Sequence, residues 1–199
     1  MEEDKNILDE LITSVKKGGS VLDLGCGGGG HSIHLAQQEL QVTSVDLNKE
    51  ALVKLHERIK EQSINGIEII NVDIADFVPA KKYDLILAVS VLHFFKKQDA
   101  SNILAKIKDW LNDGGVVFIR IFSDKDDELV DFTQKGLQVA PSEIFLPKIN
   151  KFIHYYSQKE IKELMRGFKI IKLEEHKKFA NHPPAGEHWH WVFEIVAKK

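Results

Sequence analysis

Five glycines follow the end of a short apolar run and could bring the polypeptide backbone close to a ligand. The run, residues 21–24, carries Asp23 two positions before Gly25, and four more glycines occupy positions 27–30. Glycine is favoured where a strand turns sharply into a helix, because it leaves room for a ligand at the bare backbone. The spacing Gly-x-Gly-x-x-Gly also fits a dinucleotide-binding loop. A carboxylate at the strand end favours a cationic amino-acid group over a pyrophosphate.

Two further acids follow segments that are predicted to be strands. Residues 41–46 form the second predicted strand and end in Asp46, about 20 residues after the glycine loop, where a carboxylate can accept hydrogen bonds from both ribose hydroxyls. The third predicted strand, residues 67–72, is followed by Asp73. A single acid in such a position is commonly a helix cap or a solvated turn residue. Three acids in order at the ends of successive strands favour a shared ligand-binding role.

Residues 21–30 closely resemble motif I, acid-x-Gly-x-Gly-x-Gly, of the class I S-adenosylmethionine-dependent methyltransferases. The resemblance implies that the glycine loop wraps the methionine part of S-adenosylmethionine. It also implies that Asp46 binds the ribose and that Asp73 and Ile74 bind the adenine. The residues expected to contact this cofactor are Asp23, Gly25, Cys26, Gly27, Gly29, Asp46, Leu47, Asp73, Ile74 and Val89. Cys26 is interpreted as a small packing residue of the loop rather than as a nucleophile.

The rest of the chain predicts how these residues are positioned. Predicted helices at 4–16, 31–38, 49–61 and 98–111 separate the strands, which include 83–89 and 116–122; this alternation indicates a parallel sheet with right-handed crossovers. A helix capped by Ser157 precedes two predicted strands, 168–174 and 189–197, joined by a loop with Pro183 and Pro184. The resemblance spans nearly the whole chain. It implies one Rossmann-like α/β domain, 1–199, whose seven-stranded, mostly parallel sheet has the order 3-2-1-4-5-7-6, helices on both faces and an antiparallel C-terminal strand.

Composition limits the classes of protein that the chain could belong to. With 199 residues, 43% of them apolar, it is long enough for one domain with a sizeable core. A formal net charge of −3 argues against nucleic acid as a partner. No apolar run approaches the roughly 18 residues of a membrane span, and no signal peptide opens the chain. The single cysteine, Cys26, fits a reducing compartment. We therefore expect a cytoplasmic protein, as a monomer or homodimer, without membrane partners.

The methyl acceptor is expected at the carboxyl ends of the strands, where ligands of open parallel sheets bind. His93, after the fourth strand, could be a general base because an imidazole titrates near about pH 6.5; alternatively it packs against the cofactor. Residues 136–156 are rich in aromatic and apolar groups, among them Tyr155, and are interpreted as a candidate lid. The alternative for each aromatic is a place in the main core.

Histidines also cluster near the C-terminus, at positions 176, 182, 188 and 190. On a strand, His188 and His190 share one face. They could have structural or solvated roles, contact the acceptor or, with a loop histidine, hold a metal. No metal is predicted, because this face carries neither a nearby acid nor a cysteine. The chain is somewhat similar to tellurite-resistance and thiopurine methyltransferases in its size, its YDLI strand and its final hairpin.

The predicted function is therefore methyl transfer from S-adenosylmethionine to a small molecule, with His93, Tyr155, His188 and His190 near the acceptor. Two alternatives stay open. A non-catalytic cofactor-binding or regulatory module would keep the glycine loop without an acceptor site. A nicotinamide-dependent oxidoreductase is disfavoured by Asp23 and by the antiparallel ending of the sheet.

Overall fold

The structure is a computed structural model that describes residues 2–182 and 186–199. The helices are α1 (Glu2–Ile12), α2 (Gly30–Gln37), α3 (Lys49–Glu61), α4 (Lys97–Trp110), α5 (Asp127–Gln134) and α6 (Gln158–Leu164). The strands are β1 (Ser20–Leu24), β2 (Gln41–Asp46), β3 (Ile67–Asn71), β4 (Tyr83–Val89), β5 (Leu111–Phe122), β6 (Gln138–Ala140), β7 (Glu143–Leu146), β8 (Lys151–His154), β9 (Lys169–His182) and β10 (Gly186–Lys198). Within the described ranges, no helix combines the length and the apolar character that a membrane span requires.

Seven of the strands form the central sheet, in the order β3-β2-β1-β4-β5-β10-β9. Strands β1 to β5 run parallel to one another, and β10 lies antiparallel between β5 and β9. The predicted Rossmann-like α/β fold, with its order of strands and its antiparallel C-terminal strand, is confirmed. Because β1 to β5 are parallel, their carboxyl ends meet at one edge, and the residues that follow each strand are brought together there.

Helices cover both faces of the sheet, as the residues of β4 show. Ile86 and Ala88 belong to a core cluster that contains side chains of α4 and α6, whereas Leu85 and Leu87 belong to a second cluster with α1 and α2. All four side chains are fully buried. The nearly continuous apolar sequence of 83–89 is therefore explained by burial on both faces.

Helix α1 ends four residues earlier than its apolar spacing predicts. The predicted helix runs over 4–16, but the structure has it end at Ile12. The hydroxyls of Thr13 and Ser14 donate hydrogen bonds of 2.6 Å to the carbonyl oxygens of Glu10 and Leu11. Hydroxyl groups that donate to nearby carbonyl oxygens compete with the helical hydrogen bonds. Here they provide donors for two carbonyl oxygens in the last turn of the helix.

The C-terminal hairpin is longer than the prediction. Strand β9 continues to His182, well past the predicted segment 168–174, and β10 begins at Gly186, before the predicted segment 189–197. In this added part of the hairpin, His188 pairs with Ala180. Residues 175–182 are mostly polar, so they carry no apolar alternation that would identify a strand; their backbone hydrogen bonds to β10 order them instead. The predicted loop at Pro183 and Pro184 lies outside the described residues.

A second, three-stranded antiparallel sheet was not predicted. It has the order β6-β7-β8 and occupies most of the candidate lid, 136–156. Ile144 and Ile153 pack from this sheet against Phe122 of β5. Strands of three or four residues are too short for a periodic pattern to reveal them. Tyr156 belongs to the main core cluster, as the alternative interpretation of the lid aromatics expects.

Candidate cofactor and acceptor site

The four glycines between β1 and α2 have two different structural roles. A Cβ atom on Gly25 would lie 2.5 Å from Cγ2 of Val91, and one on Gly29 would overlap the side chain of Leu55. These two glycines, with φ of +69° and +75°, are required by packing and by backbone conformation. By contrast, a Cβ atom on Gly27 or Gly28 would meet nothing within 4 Å. The loop therefore presents bare backbone to open space at positions 27 and 28.

Asp46, at the end of β2, holds the glycine loop in place. Its Oδ2 accepts a hydrogen bond of 2.7 Å from the backbone N–H of Gly27, and its Oδ1 accepts one of 2.7 Å from Asn48. The Asn48 side chain caps α3 by accepting a hydrogen bond from Ala51. The carboxylate thus lies directly beside the open part of the loop, at the position predicted to bind a ribose.

Asn71 also lies at this edge of the sheet, and sequence reasoning missed it. It is the last residue of β3 and pairs in register with Asp46. Its side-chain amide donates hydrogen bonds of 2.9 and 3.0 Å to the carbonyl oxygens of Asp46 and Leu47. The signal that could have found it is its place at the end of a strand adjacent to β2, because parallel neighbours end at the same edge.

Asp23 lies under the loop, with only 1% of its surface exposed. Its Oδ2 accepts a hydrogen bond of 2.6 Å from the Ser32 hydroxyl, which in turn accepts one of 2.8 Å from Ser44. Burial raises the pKa of Asp23, and the neighbouring His31 and the Ser32 hydrogen bond oppose that rise. A cationic ligand near the loop would favour the charged carboxylate, as expected for an amino-acid group. The serine pair was not identified from sequence.

The remaining predicted cofactor residues differ in how far they can contact a ligand. Asp73 accepts a hydrogen bond of 2.8 Å from the N–H of Ala75, while Ile74 is buried in the main core. Val89 is also buried, but 66% of Leu47 is exposed. Among these three apolar candidates, Leu47 has the side chain that is exposed and could contact a ligand. Ile74 and Val89 support the edge of the sheet through packing.

Cys26 packs against the cluster of α2 and α3 side chains. Burial raises the pKa of its thiol, and the carboxylates of Asp23 and Asp46 raise it further. The group therefore stays a neutral thiol near pH 7, because nucleophilic reactivity needs the thiolate. This environment agrees with the interpretation of Cys26 as a packing residue.

On the acceptor side, four aromatic rings gather at the ends of β4, β5, β8 and β10. His93 lies in a single 3-10 turn after β4, 1% exposed, and stacks on Phe122 with ring centroids 3.8 Å apart. The ring of Phe122 also stacks with His190, at 4.4 Å, and with Tyr155, at 5.7 Å. The structure thus brings three of the four predicted acceptor residues together around one phenylalanine.

His188 and His190 share a face of β10, as predicted, and their Nε2 atoms lie 2.9 Å apart. The buried carboxylate of Asp126 contacts His190 Nδ1 at 3.0 Å and accepts a hydrogen bond of 2.8 Å from the N–H of Trp191. Glu128 lies on the same side, within reach of both imidazoles. The expectation of no acid near this face is wrong, because the acids come from α5, a helix that the sequence did not reveal.

Tyr155 connects this cluster to the small sheet. The side chain is fully buried, and its hydroxyl donates a long hydrogen bond of 3.5 Å to Oε2 of Glu128. Burial raises the pKa of Tyr155, and the charges of Glu128 and Asp126 add to that rise. The phenol therefore stays protonated and can act only as a neutral donor or acceptor at ordinary pH.

Comparison with known proteins finds similarity to methyltransferases over the first part of the chain. Residues 21–115 match a family model described as a methyltransferase domain. The (S)-coclaurine N-methyltransferase of Thalictrum flavum subsp. glaucum is 28% identical over 145 residues, which are 66% of this chain and 40% of that protein. The probable S-adenosyl-L-methionine-dependent methyltransferase TehB of Haemophilus influenzae (strain ATCC 51907 / DSM 11121 / KW20 / Rd) is 30% identical over 108 residues, 54% of this chain and 37% of that protein. The chain thus spans less than half the length of these curated relatives.

Solved structures agree with the fold. TehB from Haemophilus influenzae has a TM-score of 0.75 and 23% identity, over 98% of this chain and 62% of that one. Magnesium protoporphyrin IX methyltransferase from Synechocystis PCC 6803, with bound S-adenosylhomocysteine, has a TM-score of 0.76 and 18% identity, over 100% and 82% of the two chains. These solved structures share the fold of the chain, and the matched segment resembles a methyltransferase domain, in agreement with the motif I resemblance.

Proposed function

We propose that this protein transfers the methyl group of S-adenosylmethionine to a small-molecule acceptor. The observation that carries the proposal is the open backbone at Gly27 and Gly28, with the carboxylate of Asp46 directly beside it. This arrangement lies inside the segment that matches a methyltransferase domain. The curated relatives are named as (S)-coclaurine and pavine N-methyltransferases and as TehB, which supports a small acceptor.

The residues present fit this cofactor. Bare backbone at Gly27 leaves space for the methionine part, Asp46 offers two acceptor oxygens for a ribose, and Asp23 supplies negative charge for an ammonium group. Asp73 and the exposed face of Leu47 are assigned to the adenine end. When bound, S-adenosylmethionine would supply a sulfonium-activated methyl group. The protein then has mainly to align the acceptor and exclude water.

The acceptor is assigned to the ring cluster at the ends of β4, β5 and β10. His93, Tyr155, His188 and His190 would contact it around Phe122, and such rings suit a small, partly apolar molecule. The assignment treats 1–199 as one domain in which residues 136–156 close over the acceptor. The proposal places this activity in the cytoplasm, in a monomer or homodimer, without a nucleic-acid substrate.

Two measurements test the function. Calorimetric titration with S-adenosylmethionine, S-adenosylhomocysteine and NAD should give binding of the first two and none of NAD. Release of S-adenosylhomocysteine is then followed with a panel of small amine, thiol, hydroxyl and metalloid acceptors. Binding of NAD alone would contradict the methyltransferase assignment. Cofactor binding without release across the panel would favour a non-catalytic module.

We expect His93 to act through packing rather than as a general base. Its ring is buried between aromatic groups, 3.8 Å from the centroid of Phe122 and 4.4 Å from that of Phe94. His93→Ala should therefore lower stability and change turnover by less than about tenfold, with the pH–rate profile unmoved; loss of a general base typically costs about 10²–10⁴-fold. His93→Phe, which keeps a flat ring, is the matched variant. Loss of the acidic limb of the profile in both variants would establish the base instead.

Residues 136–156 should respond to ligand unevenly. Strand β6 is exposed throughout, whereas Tyr156 is buried and its N–H donates a hydrogen bond of 2.9 Å to the carbonyl of Phe122. Hydrogen exchange should therefore slow in 138–146 when S-adenosylhomocysteine and an acceptor are added, because closure buries apolar surface. Amides at 155–156 should be protected in both states and provide the internal control. Equal protection of 138–146 with and without ligands would make the segment a permanent part of the fold.

A further inference from the structure

Three side chains near the start of β10 have the types and spacing of metal ligands. His188 and His190 come from β10, and Glu128 comes from the first turn of α5. One ligand atom from each lies within 4.8 Å of the other two. His190 is buried, while His188 and Glu128 are half-buried, so an ion could reach the cluster from solvent.

The partners of the two imidazoles decide which nitrogens carry protons. Nδ1 of His190 lies 3.0 Å from Oδ2 of Asp126, and Nδ1 of His188 lies 2.9 Å from the carbonyl oxygen of Gly186. A carboxylate and a carbonyl only accept, so each Nδ1 must donate its proton. In the neutral rings, both Nε2 atoms then carry lone pairs. The two Nε2 atoms lie 2.9 Å apart, close enough for both to bind one cation.

Hydrogen bonds hold the carboxylate of Asp126 in place, and Asp126 in turn orients the ring of His190. Its side chain is fully buried and its Oδ2 also accepts the N–H of Trp191 at 2.8 Å. Its Oδ1 accepts the N–H of Glu128 at 2.9 Å and so caps α5. Metal-binding histidines commonly donate their other N–H to a carboxylate, which sets the tautomer and the ring orientation.

We propose that Nε2 of His188, Nε2 of His190 and the carboxylate of Glu128 bind a divalent transition-metal ion of the Zn²⁺ type. Zinc–nitrogen bonds of about 2.0–2.1 Å at a tetrahedral angle put two nitrogens roughly 3.3 Å apart, so the pair needs to open by only a few tenths of an ångström. Two histidines and one carboxylate leave a further coordination position. That position lies next to the ring cluster around Phe122, where the proposed function places the acceptor.

A second group on the hairpin is a weaker candidate. Glu174, His176 and Glu194 also come within bonding range of a common ion. However, the guanidinium of Arg120 forms a buried ion pair with Glu194, with nitrogen–oxygen distances of 2.6 and 2.8 Å. A cation already neutralises that carboxylate, so His176 provides a control on the same hairpin.

The test is metal binding by the full chain after treatment with a chelator. Titration with Co²⁺, followed by its visible absorption, and with Zn²⁺, followed by calorimetry, should give one ion per chain. His188→Ala and Glu128→Gln, which change half-buried side chains, should weaken the affinity at least about tenfold. Asp126→Asn should weaken it by about 10–100-fold, the usual effect of removing such a positioning partner. His176→Ala and His56→Ala, an exposed histidine of α3, should bind as the unmodified protein does.

Circular dichroism of each variant separates loss of the site from loss of the fold. Absence of one-to-one binding, or equal affinity in His188→Ala and Glu128→Gln, would overturn the proposal. A loss confined to His176→Ala would overturn it too, by moving the ion to the second group. A parallel titration with S-adenosylhomocysteine keeps the outcomes apart: failure of cofactor binding contradicts the proposed function, and failure of metal binding contradicts only this site.

Discussion

Gly27→Val should abolish binding of S-adenosylhomocysteine while the domain stays folded. Gly27 has a φ of +53°, a conformation that a β-branched residue rarely adopts, and its Cβ position faces open space. A valine there would strain the loop by about 1–3 kcal/mol and would fill the space assigned to the methionine part of the cofactor. The two effects together should weaken affinity by about a hundredfold or more, measured by calorimetry.

Gly114→Val is the matched control for this substitution. Gly114 also has a positive φ, +76°, with nothing within 4 Å of its Cβ position. It lies near the amino end of β5, away from the carboxyl ends of the strands where the cofactor is proposed to bind. The Gly114→Val protein should lose stability to a similar extent as the Gly27→Val protein but keep its affinity for S-adenosylhomocysteine. A folded Gly27→Val protein that binds as tightly as the Gly114→Val protein would show that the open space is not the cofactor site.

Asp46→Ala should weaken cofactor affinity by more than tenfold. Hydrogen bonds to a charged group contribute about 1.5–3 kcal/mol, and each 1.4 kcal/mol corresponds to about a factor of ten in affinity. In addition, the carboxylate holds the N–H of Gly27 at 2.7 Å, so its removal loosens the loop. Asp46→Asn keeps one acceptor oxygen and should lose less than the alanine variant.

Asn48→Ala separates the cofactor contact from local damage at the same strand end. Asn48 caps α3 through a hydrogen bond of 3.1 Å to Ala51, and the loss of such a cap costs about 1 kcal/mol of stability. Its carboxylate neighbour, Asp46, is unchanged. The Asn48 variant should unfold more easily but bind S-adenosylhomocysteine normally. Unchanged affinity in a well-folded Asp46→Ala protein would remove the ribose assignment.

The positions of the acids proposed to bind the cofactor could be predicted because their signals are local. Each of Asp23, Asp46 and Asp73 lies within two residues of the carboxyl end of its own strand, and parallel strands place their carboxyl ends at one edge. The roles of the individual glycines could not be predicted. Gly29 is required because it packs on Leu55, and Gly25 because it packs on Val91, and both contacts join residues far apart in the chain.

The acceptor half was predicted only in part. The sequence placed His188 and His190 on one face of a strand, since that follows from the two-residue period alone. It did not reveal α5, because the helix begins inside a run of charged residues, 124–128, that resembles a solvated turn. It also missed the short strands of the small sheet.

The sequence by itself determined the fold, the resemblance to methyltransferase domains and the edge of the sheet at which the three acids lie, because contiguous motifs and strand order are enough for these. Only the tertiary structure decided what surrounds the histidine pair. Asp126 stands 64 positions before His190 and contacts it at 3.0 Å. Contacts of that kind depend on how α5 packs against β10, and packing between distant elements leaves no periodic signal in either segment.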